Sequence, residues 1–598
     1  MKYIYFSLFC LVLSSCSSSY GHRERGGDSI VSSSSESYIV KTTKDFDTSL
    51  FASVGGFYDG AEPNTNLFIE GQYYLIKKAS NITSDEFINR LEALSGVYYA
   101  CENEKIEEPK VVFGRSFSSK NLFGLDGGNL DGDPSARYYE YALRVTHARD
   151  YVDADGNKQQ GAYTKVGYGP KTAVIAIIDS GINLKHPDFK KDKSICLYAK
   201  SSYAATITNQ GGYYDFQELS SMRELNLDSN EDYIGHGTHC SGTMCAVEGN
   251  NEGIAGVAYK NTYIISYKGL GIRGGSMEAV YSPLANLVEI VTILKKPVAD
   301  RSSTEKAKIP KTVPADFVIT QKTIPVNMSL GSGGTSKYAV EMLNLAIRNN
   351  ILPVIAMGND GRSQPAYPRS LYGCIAVGAT TDIDKRADFS DAGEWMSVCA
   401  PGYNIISTYN GRWTYGGPST GTDTHGVQFM SGTSMATPFV TGLIGYLLSF
   451  EEGQKLNAQQ IKRLLEITAD KIDSDNPYYG SYDSRGYSQY YGYGRVNVLE
   501  AAKCVAKKDG LPIPQAEEFY LSKPMEVTAY SGAPIRLYEI LNDGTYFPQG
   551  FAMADSNGKT YFYGLRKGAR YRMTCHYQRV EKEHIFTAED KEMKHNFS

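Results

Sequence analysis

A chain of 598 residues is too long for a single hydrophobic core, so three or four domains are expected. Hydrophobic residues at 41% and charged residues at 21%, with 59 Gly and 22 Pro, describe a loop-rich globular protein and exclude a largely disordered one. A net charge of -5 over this length leaves no basic field for phosphate contacts, which excludes nucleic acid as a partner.

The chain opens with Lys2, an apolar stretch from Ile4 to Val12, and Leu-Ser-Ser-Cys ending at Cys16. This reads as an export signal, too short to remain as a membrane span. The small residues before Cys16 resemble a bacterial lipobox, whose cysteine becomes the lipidated N-terminus. Residues 1–16 are therefore expected to be a lipoprotein signal peptide, 17–37 a serine-rich flexible tether, and the cell envelope the destination. No later segment has the unbroken apolar length of a membrane span. Of ten cysteines, Cys10 and Cys16 fall in the signal and Cys101 in the next unit. The others are Cys196, Cys240, Cys245, Cys374, Cys399, Cys504 and Cys575, an odd set read as small buried hydrophobes rather than a disulfide scaffold.

Residues 38–110 read as a small α+β unit. Gln72–Lys78 suits a strand, and Thr83 to Glu86 has capping-box spacing for a helix with Phe87, Leu91 and Leu94 on one face. Residues 111–136, rich in Gly, Ser and Asp, read as an exposed linker open to proteolytic nicking. From 137 to 508, apolar runs alternate with helical patterns: Thr172–Ile178, Thr262–Tyr267, Ile324–Leu330, Ile351–Met357 and Cys374–Thr380. Such runs fit strands buried on both faces of a parallel sheet, and Tyr338–Asn350 supplies a crossover helix, so the fold class is α/β. Leu294–Thr320, charged and proline-containing, reads as a surface insertion. Residues 515–598 carry short alternating strands and an Asn557-Gly558 turn, and they resemble the transthyretin-like or carboxypeptidase-regulatory-like β-sandwich modules.

Three stretches carry the chemistry. The first apolar run delivers Asp179 at its carboxyl end, in DSGINLKHPDF, where open α/β sheets place functional groups. DYIGHGTHCSGTM holds His236 and His239; paired histidines could ligate metal, but this spacing lacks the helical geometry of HExxH sites. In QFMSGTSMATPFVTGLIGYLLSF, Ser434 starts a helix with Phe439, Leu443 and Leu447 on one face. Pro438 is tolerated near a first turn, which would leave unpaired N–H groups and the positive dipole end at Ser434. A hydroxyl nucleophile, a base, a group that orients the base and donors for an oxyanion are what acyl transfer needs.

The motifs DSG, GHGTHCSG and SGTSMATP, in the chain order Asp, His, Ser, resemble the three signatures of the subtilisin (S8) peptidases; an α/β-hydrolase would present Ser first. The resemblance implies a three-layer α/β/α domain with a mostly parallel sheet, preceded by an α+β inhibitor propeptide and followed by the small β-sandwich. It implies a serine endopeptidase working through an acyl-enzyme on protein or peptide substrates. Ser434 is the implied nucleophile, His236 the general base, Asp179 its orienting group, and Asn359, in VIAMGNDG, the oxyanion-hole side chain; His239 is implied to be structural. The implied substrate-binding residues are Ser329, Leu330 and Gly331 of NMSLGSGG, with Ala356, Gly358 and Ala366. Ala366, with Asp360 by the rim, suggests medium apolar side chains in the first pocket. The resemblance further implies that 38–110 inhibits its own enzyme until cleavage in 111–136 releases the mature form. No cofactor is implied for the chemistry. A structural calcium at Asp188 with Asn250 or Asn251 is left open. The competing expectation is a surface-binding lipoprotein that uses the fold only as a scaffold.

Overall fold

The computed structural model describes residues 37–58, 60, 71–106, 112–118, 141–189, 196–201, 232, 234–248, 250, 253–271, 274–331, 336–363, 368–409, 413–414, 417–418, 426–507, 524–541, 544–554, 557–562, 565–577, 580–589 and 591–598. Cys16, the tether up to Glu36, residues 119–140, Asn251 and Ala366 lie outside them.

Alternation of side chains organises the first unit. Strands β1 (Tyr38–Thr42), β2 (Gly56–Phe57), β3 (Gln72–Lys78) and β4 (Val97–Glu102) form an antiparallel sheet in the order β2-β3-β1-β4. Tyr38, Val40, Tyr74 and Ile76 point one way and pack on Phe87 and Leu91 of helix α1 (Ser84–Glu92). Ile39, Tyr73 and Tyr99 point the other way, into the core of the larger domain. Thr83 caps α1 as its spacing predicts, its hydroxyl accepting the Glu86 N–H at 3.3 Å. The chain leaves this unit through β5 (Lys105–Ile106). The sequence reading places 111–118 in a linker, but 112–118 form strand β6 (Val112–Ser118).

Seven strands build the central sheet: β7 (Ala173–Asp179), β8 (Cys196–Ser201), β9 (Thr262–Lys268), and, after the short β10 (Gly275–Ser276), β11 (Ile324–Met328), β12 (Ile351–Ala356), β13 (Ile375–Thr380) and β14 (Val398–Pro401). Their order is β8-β9-β7-β11-β12-β13-β14, and every neighbouring pair is parallel. Along β7, Ala173, Ile175 and Ile177 enter one core, and Val174, Ala176 and Ile178 the other. That division explains the unbroken apolar run: both faces of the sheet are covered. On the first face lie α2 (His236–Cys245), α5 (Thr433–Leu448) and the later helices α6 (Ala458–Thr468) and α7 (Val498–Ala506); on the second lie α3 (Met277–Lys295) and α4 (Lys337–Arg348).

Helix α3 is long and apolar enough to cross a bilayer, but most of it is buried, which makes it a core helix. Residues 294–320 form an insertion pinned from below: Val313 and Ile319 are buried, and Arg301 Nη2 donates to the Phe317 carbonyl at 2.6 Å. Strands β15 (Ile405–Tyr409) and β16 (Gly426–Ser431) form a small antiparallel sheet with β6 as its third strand. This pairing explains why 112–118 are ordered despite a loop-like composition, since the strand's backbone finds partners in a distant segment. The α/β/α domain is thus preceded by an α+β unit and followed by a β-sandwich.

That sandwich stacks β17 (Met525–Thr528) against β18 (Pro534–Ile540), with β19 (Tyr546–Met553), β20 (Lys559–Phe562), β21 (Arg570–Tyr577), β22 (Val580–Thr587) and β23 (Met593–Asn596) completing sheets β20-β17-β23 and β19-β18-β21-β22. Val527, Ile535, Leu537, Phe562 and Met573 fill the space between them. β19 also joins the α/β/α domain: the Tyr372 N–H donates to the Phe551 carbonyl at 2.8 Å.

Candidate active site

Asp179 is the last residue of β7, at the point where the strand order reverses, with β9 on one side and β11 on the other. One carboxylate oxygen, Oδ1, accepts the Ser180 N–H and meets His236 Nδ1, both at 2.7 Å. His236 opens α2, and its N-cap, Gly235, has φ 92, a conformation that disfavours any side chain. Nδ1 must carry the proton in the Asp179 bond. Nε2 is buried and has no hydrogen-bond partner among the described residues. Burial disfavours the imidazolium, but the charge and hydrogen bond of Asp179 outweigh it and hold the His236 pKa above its ordinary value.

Asp232, which the sequence reading leaves unassigned, ties these elements together. Its Oδ1 accepts the Ser180 hydroxyl at 2.9 Å and the Gly235 N–H at 2.9 Å; its Oδ2 accepts the N–H and hydroxyl of Thr238 at 2.8 and 2.7 Å. The carboxylate therefore locks the turn after β7 to the first turn of α2. Its only signal in the sequence is an acidic residue four places before His236. His239 lies one turn along, with Nε2 donating to the carbonyls of Ile405 and Gln428 at 3.1 and 3.0 Å. Burial drives its pKa down to about 3, so it is a neutral tie between α2 and the sheet of β15 and β16.

Ser434 is the second residue of α5 and is 3% exposed. Pro438 lies in the second turn, deeper than the first-turn position expected from sequence. Four residues after Ser434, it lacks the N–H that would bond the Ser434 carbonyl. That carbonyl accepts instead the Ser329 hydroxyl at 2.9 Å and the Cys240 thiol at 3.4 Å. The proline is tolerated because outside donors replace the missing one. Burial raises the Cys240 thiol above its ordinary pKa, which keeps it a donor at neutral pH. In return, the Ser434 hydroxyl donates to the Ser329 carbonyl at 3.2 Å. Asn359 uses Oδ1 to accept the Thr433 N–H and hydroxyl at 2.8 and 2.9 Å. Its Nδ2 is thereby turned to the opposite side of the amide.

Ser329 and Leu330 are buried at the end of β11 and Gly331 is exposed; Ala356 ends β12 and Gly358 follows with φ 106. A Cβ on Gly358 would come within 2.5 Å of Arg369 Nη1, a residue the sequence reading does not single out. Arg369 pairs with the buried Asp391 at 2.8 Å.

The family model described as Subtilase family (Peptidase S8) matches residues 170–494, more than half of the chain. The chain belongs to the subtilase family. This subtilase is 30% identical over 381 residues to the thermophilic serine proteinase of Bacillus sp. (strain AK1), covering 62% of this chain and 74% of the relative. It is 29% identical over 385 residues to subtilisin E of Bacillus subtilis (strain 168), covering 62% and 77%. Among solved structures it is similar to fervidolysin from Fervidobacterium pennivorans, at 18% identity and a TM-score of 0.60, covering 94% of this chain and 78% of that one; the likeness is one of fold. The subtilase is a subtilisin-like serine endopeptidase; subtilisins need no cofactor for their chemistry, and proteins are the substrates expected of a protease.

Of the calcium site left open at Asp188 with Asn250 or Asn251, the described residues show Asp188 and Asn250 bonded to each other, and Asn251 lies outside them. Asp188 Oδ1 accepts the Asn250 Nδ2 at 3.2 Å and Oδ2 accepts the Ile254 N–H at 3.0 Å. Protein N–H groups occupy the carboxylate where a hard cation would need further oxygens.

Proposed function

We propose that Ser434 attacks the scissile carbonyl, that His236 takes its proton and returns it to the leaving amine, and that Asp179 holds His236 in the tautomer that exposes Nε2. The observation that carries this is the 2.7 Å bond from His236 Nδ1 to Asp179, which leaves Nε2 as a buried acceptor with no partner among the described residues. The Ser434 hydroxyl rests on the Ser329 carbonyl, and its bond to Nε2 is made in the substrate complex, as is common for catalytic hydrogen bonds. The Ser434 N–H, in the first turn of α5, and Asn359 Nδ2 stabilise the oxyanion. Ser329, Leu330, Gly331, Ala356 and Gly358 bind the extended substrate; Ala366, the other residue expected at the pocket, lies outside the described residues. This complete set of groups favours catalysis over a scaffold role.

Residues 38–110 serve as the inhibitor propeptide. Supporting this, β5 pairs antiparallel with β10, so the segment leaving the unit lies along the domain as an added strand. The Met277 N–H donates to the Glu104 carbonyl at 2.8 Å and the Glu278 N–H to Asn103 Oδ1 at 2.9 Å, which caps α3 from outside. The precursor is an exported lipoprotein held at Cys16, and cleavage between 107 and 137 frees the catalytic domain with its C-terminal module.

Ser434→Ala tests both parts. It should lower kcat by about 10⁶, the value measured in subtilisin itself. In fractionated cells the variant should remain full-length and sediment with membranes, while the wild type yields a shorter soluble form. Residual hydrolysis above a trace would refute the nucleophile, and full-length, active, membrane-bound wild type would refute the release.

A further inference from the structure

We infer that Arg369 makes the first specificity pocket selective for a substrate side chain ending in a carboxylate, glutamate before glutamine. This rests on the reading of Ser329–Gly331 and Ala356–Gly358 as the walls of that pocket. The guanidinium lies between them, with Asp391 beside it at the Gly358 wall: a Cβ on Gly358 would sit 2.4 Å from Asp391 Oδ2 and 2.5 Å from Arg369 Nη1, and one on Gly331 would have Nη1 as its nearest neighbour at 3.8 Å. Both walls are glycine where the arginine passes, so its donors reach the space the walls enclose.

Donor and acceptor numbers decide what that space accepts. Asp391, 2% exposed by side chain, neutralises the guanidinium and has both oxygens engaged, Oδ2 with a single N–H. Its Oδ1 accepts the N–H groups of Asp360 and Arg362 at 3.1 and 2.8 Å, and its Oδ2 accepts Arg369 Nη2 at 2.8 Å. The guanidinium has five N–H donors. Its Nε is buried and has no acceptor among the described residues. An apolar substrate side chain would strip water from the remaining donors without replacing it, and a lysine would bring like charge against the guanidinium. A carboxylate supplies charge-assisted acceptors in the planar geometry a guanidinium favours, and a carboxamide supplies one neutral acceptor.

Arg369 is also held in place. Asp391 anchors its tip, and the residues after it are fixed by the C-terminal module, through the Leu371 to Phe551 bridge and the Tyr372 N–H bond to the Phe551 carbonyl at 2.8 Å. A pocket group positioned from both ends discriminates better than a mobile surface arginine. Arg369 is thus a specificity determinant, and it replaces the apolar preference expected from Ala366.

The test is a series of otherwise identical peptides carrying Glu, Gln, Met, Leu, Phe or Lys before the scissile bond, assayed with enzyme matured from the full chain. The wild type should cleave the Glu peptide with kcat/KM about 10- to 100-fold above Met and Leu, with Gln between and Lys lowest. In Arg369→Met the Glu-to-Met ratio should fall to about one or below, and Arg369→Lys should keep part of the preference because charge remains while the fork is lost. A wild type that cleaves Leu or Phe at least as well as Glu overturns the inference and leaves the protease reading intact. Should neither variant fold, this wild-type ranking alone decides. Failure to cleave any peptide overturns the site reading and this inference with it.

Discussion

Both flanking units dock by backbone pairing and apolar side chains, β5 on β10 with Ile39 and Ile106 at the N-terminal seam and β19 on residues 371–372 with Phe551 and Met553 at the C-terminal one, but the N-terminal seam adds buried charged and phenolic side chains. In the first contact, Lys41, 2% exposed by side chain, pairs with Glu341, which also accepts the Tyr99 hydroxyl at 3.0 Å, and Lys337 pairs with Glu92 at 3.0 Å. In the second, Phe551 and Met553 pack into the same core as Leu371, Asn344 Nδ2 donates to the Met553 carbonyl at 3.3 Å, and Arg348 lies over the Tyr561 ring at 5.7 Å. Charges regain full hydration on separation, but apolar surface does not, so the first contact suits a region that leaves and the second one that stays.

The largest expected effect on this contrast comes from Glu341→Ala, which leaves the Lys41 ammonium buried without its carboxylate. The cleaved N-terminal fragment should then bind its catalytic domain about 100-fold more weakly, or about 3 kcal/mol, measured by co-elution across a concentration series. Unchanged retention would mean that the tyrosine contacts, not the ion pair, hold the unit.

A smaller effect should follow from Phe551→Ala at the other seam. Loss of a half-buried aromatic should cost about 2 kcal/mol, below the range for a fully buried one, and lower the thermal midpoint. Retention of the N-terminal fragment should not change. If the fragment is lost instead, the two contacts are coupled and the contrast between them fails.

The smallest effect is one of pH, on the domain that both regions share. His236 must be neutral to act as a base, and its raised pKa means that activity should climb with pH through a midpoint above about 6.5. For stability, the raised His236 pKa contributes below about pH 6.5, and that contribution is lost as pH rises through the folded value. His239 works in the opposite direction: with a folded pKa of about 3, it costs about 1.4 kcal/mol per pH unit as pH falls from about 6.5. A flat rate profile across this range would argue against a histidine base.

Much of this architecture is legible in residue order, because local patterns report local needs. The apolar runs at 172–178, 262–267, 324–330, 351–357 and 374–380 are strands of the central sheet, each within a residue or two of its observed limits. A strand covered on both faces cannot hide its composition. Thr83 caps α1 because the cap and the N–H it accepts lie three residues apart. Asp179, His236 and Ser434 stand out because glycines and small residues crowd them wherever backbone must come close.

Other features belong to segments far apart in the chain. Residues 112–118 look like a linker until Gly426–Ser431 supplies the backbone partners that make them a strand. Pro438 suggests a helix start, yet its second-turn position works only because Ser329 and Cys240 bond the carbonyl it leaves open. Arg369 and Asp391 are ordinary loop residues in the sequence, and only the approach of β11 and β12 places them beside Gly331 and Gly358. The sequence by itself determined the family, the sheet and the side chains proposed to react, since these depend on residue type and near spacing. Tertiary structure alone decided which donors satisfy the Ser434 carbonyl, which carboxylate locks the first turn of α2 and which charges lie beside Gly331 and Gly358, because each depends on partners that meet only when the chain is folded.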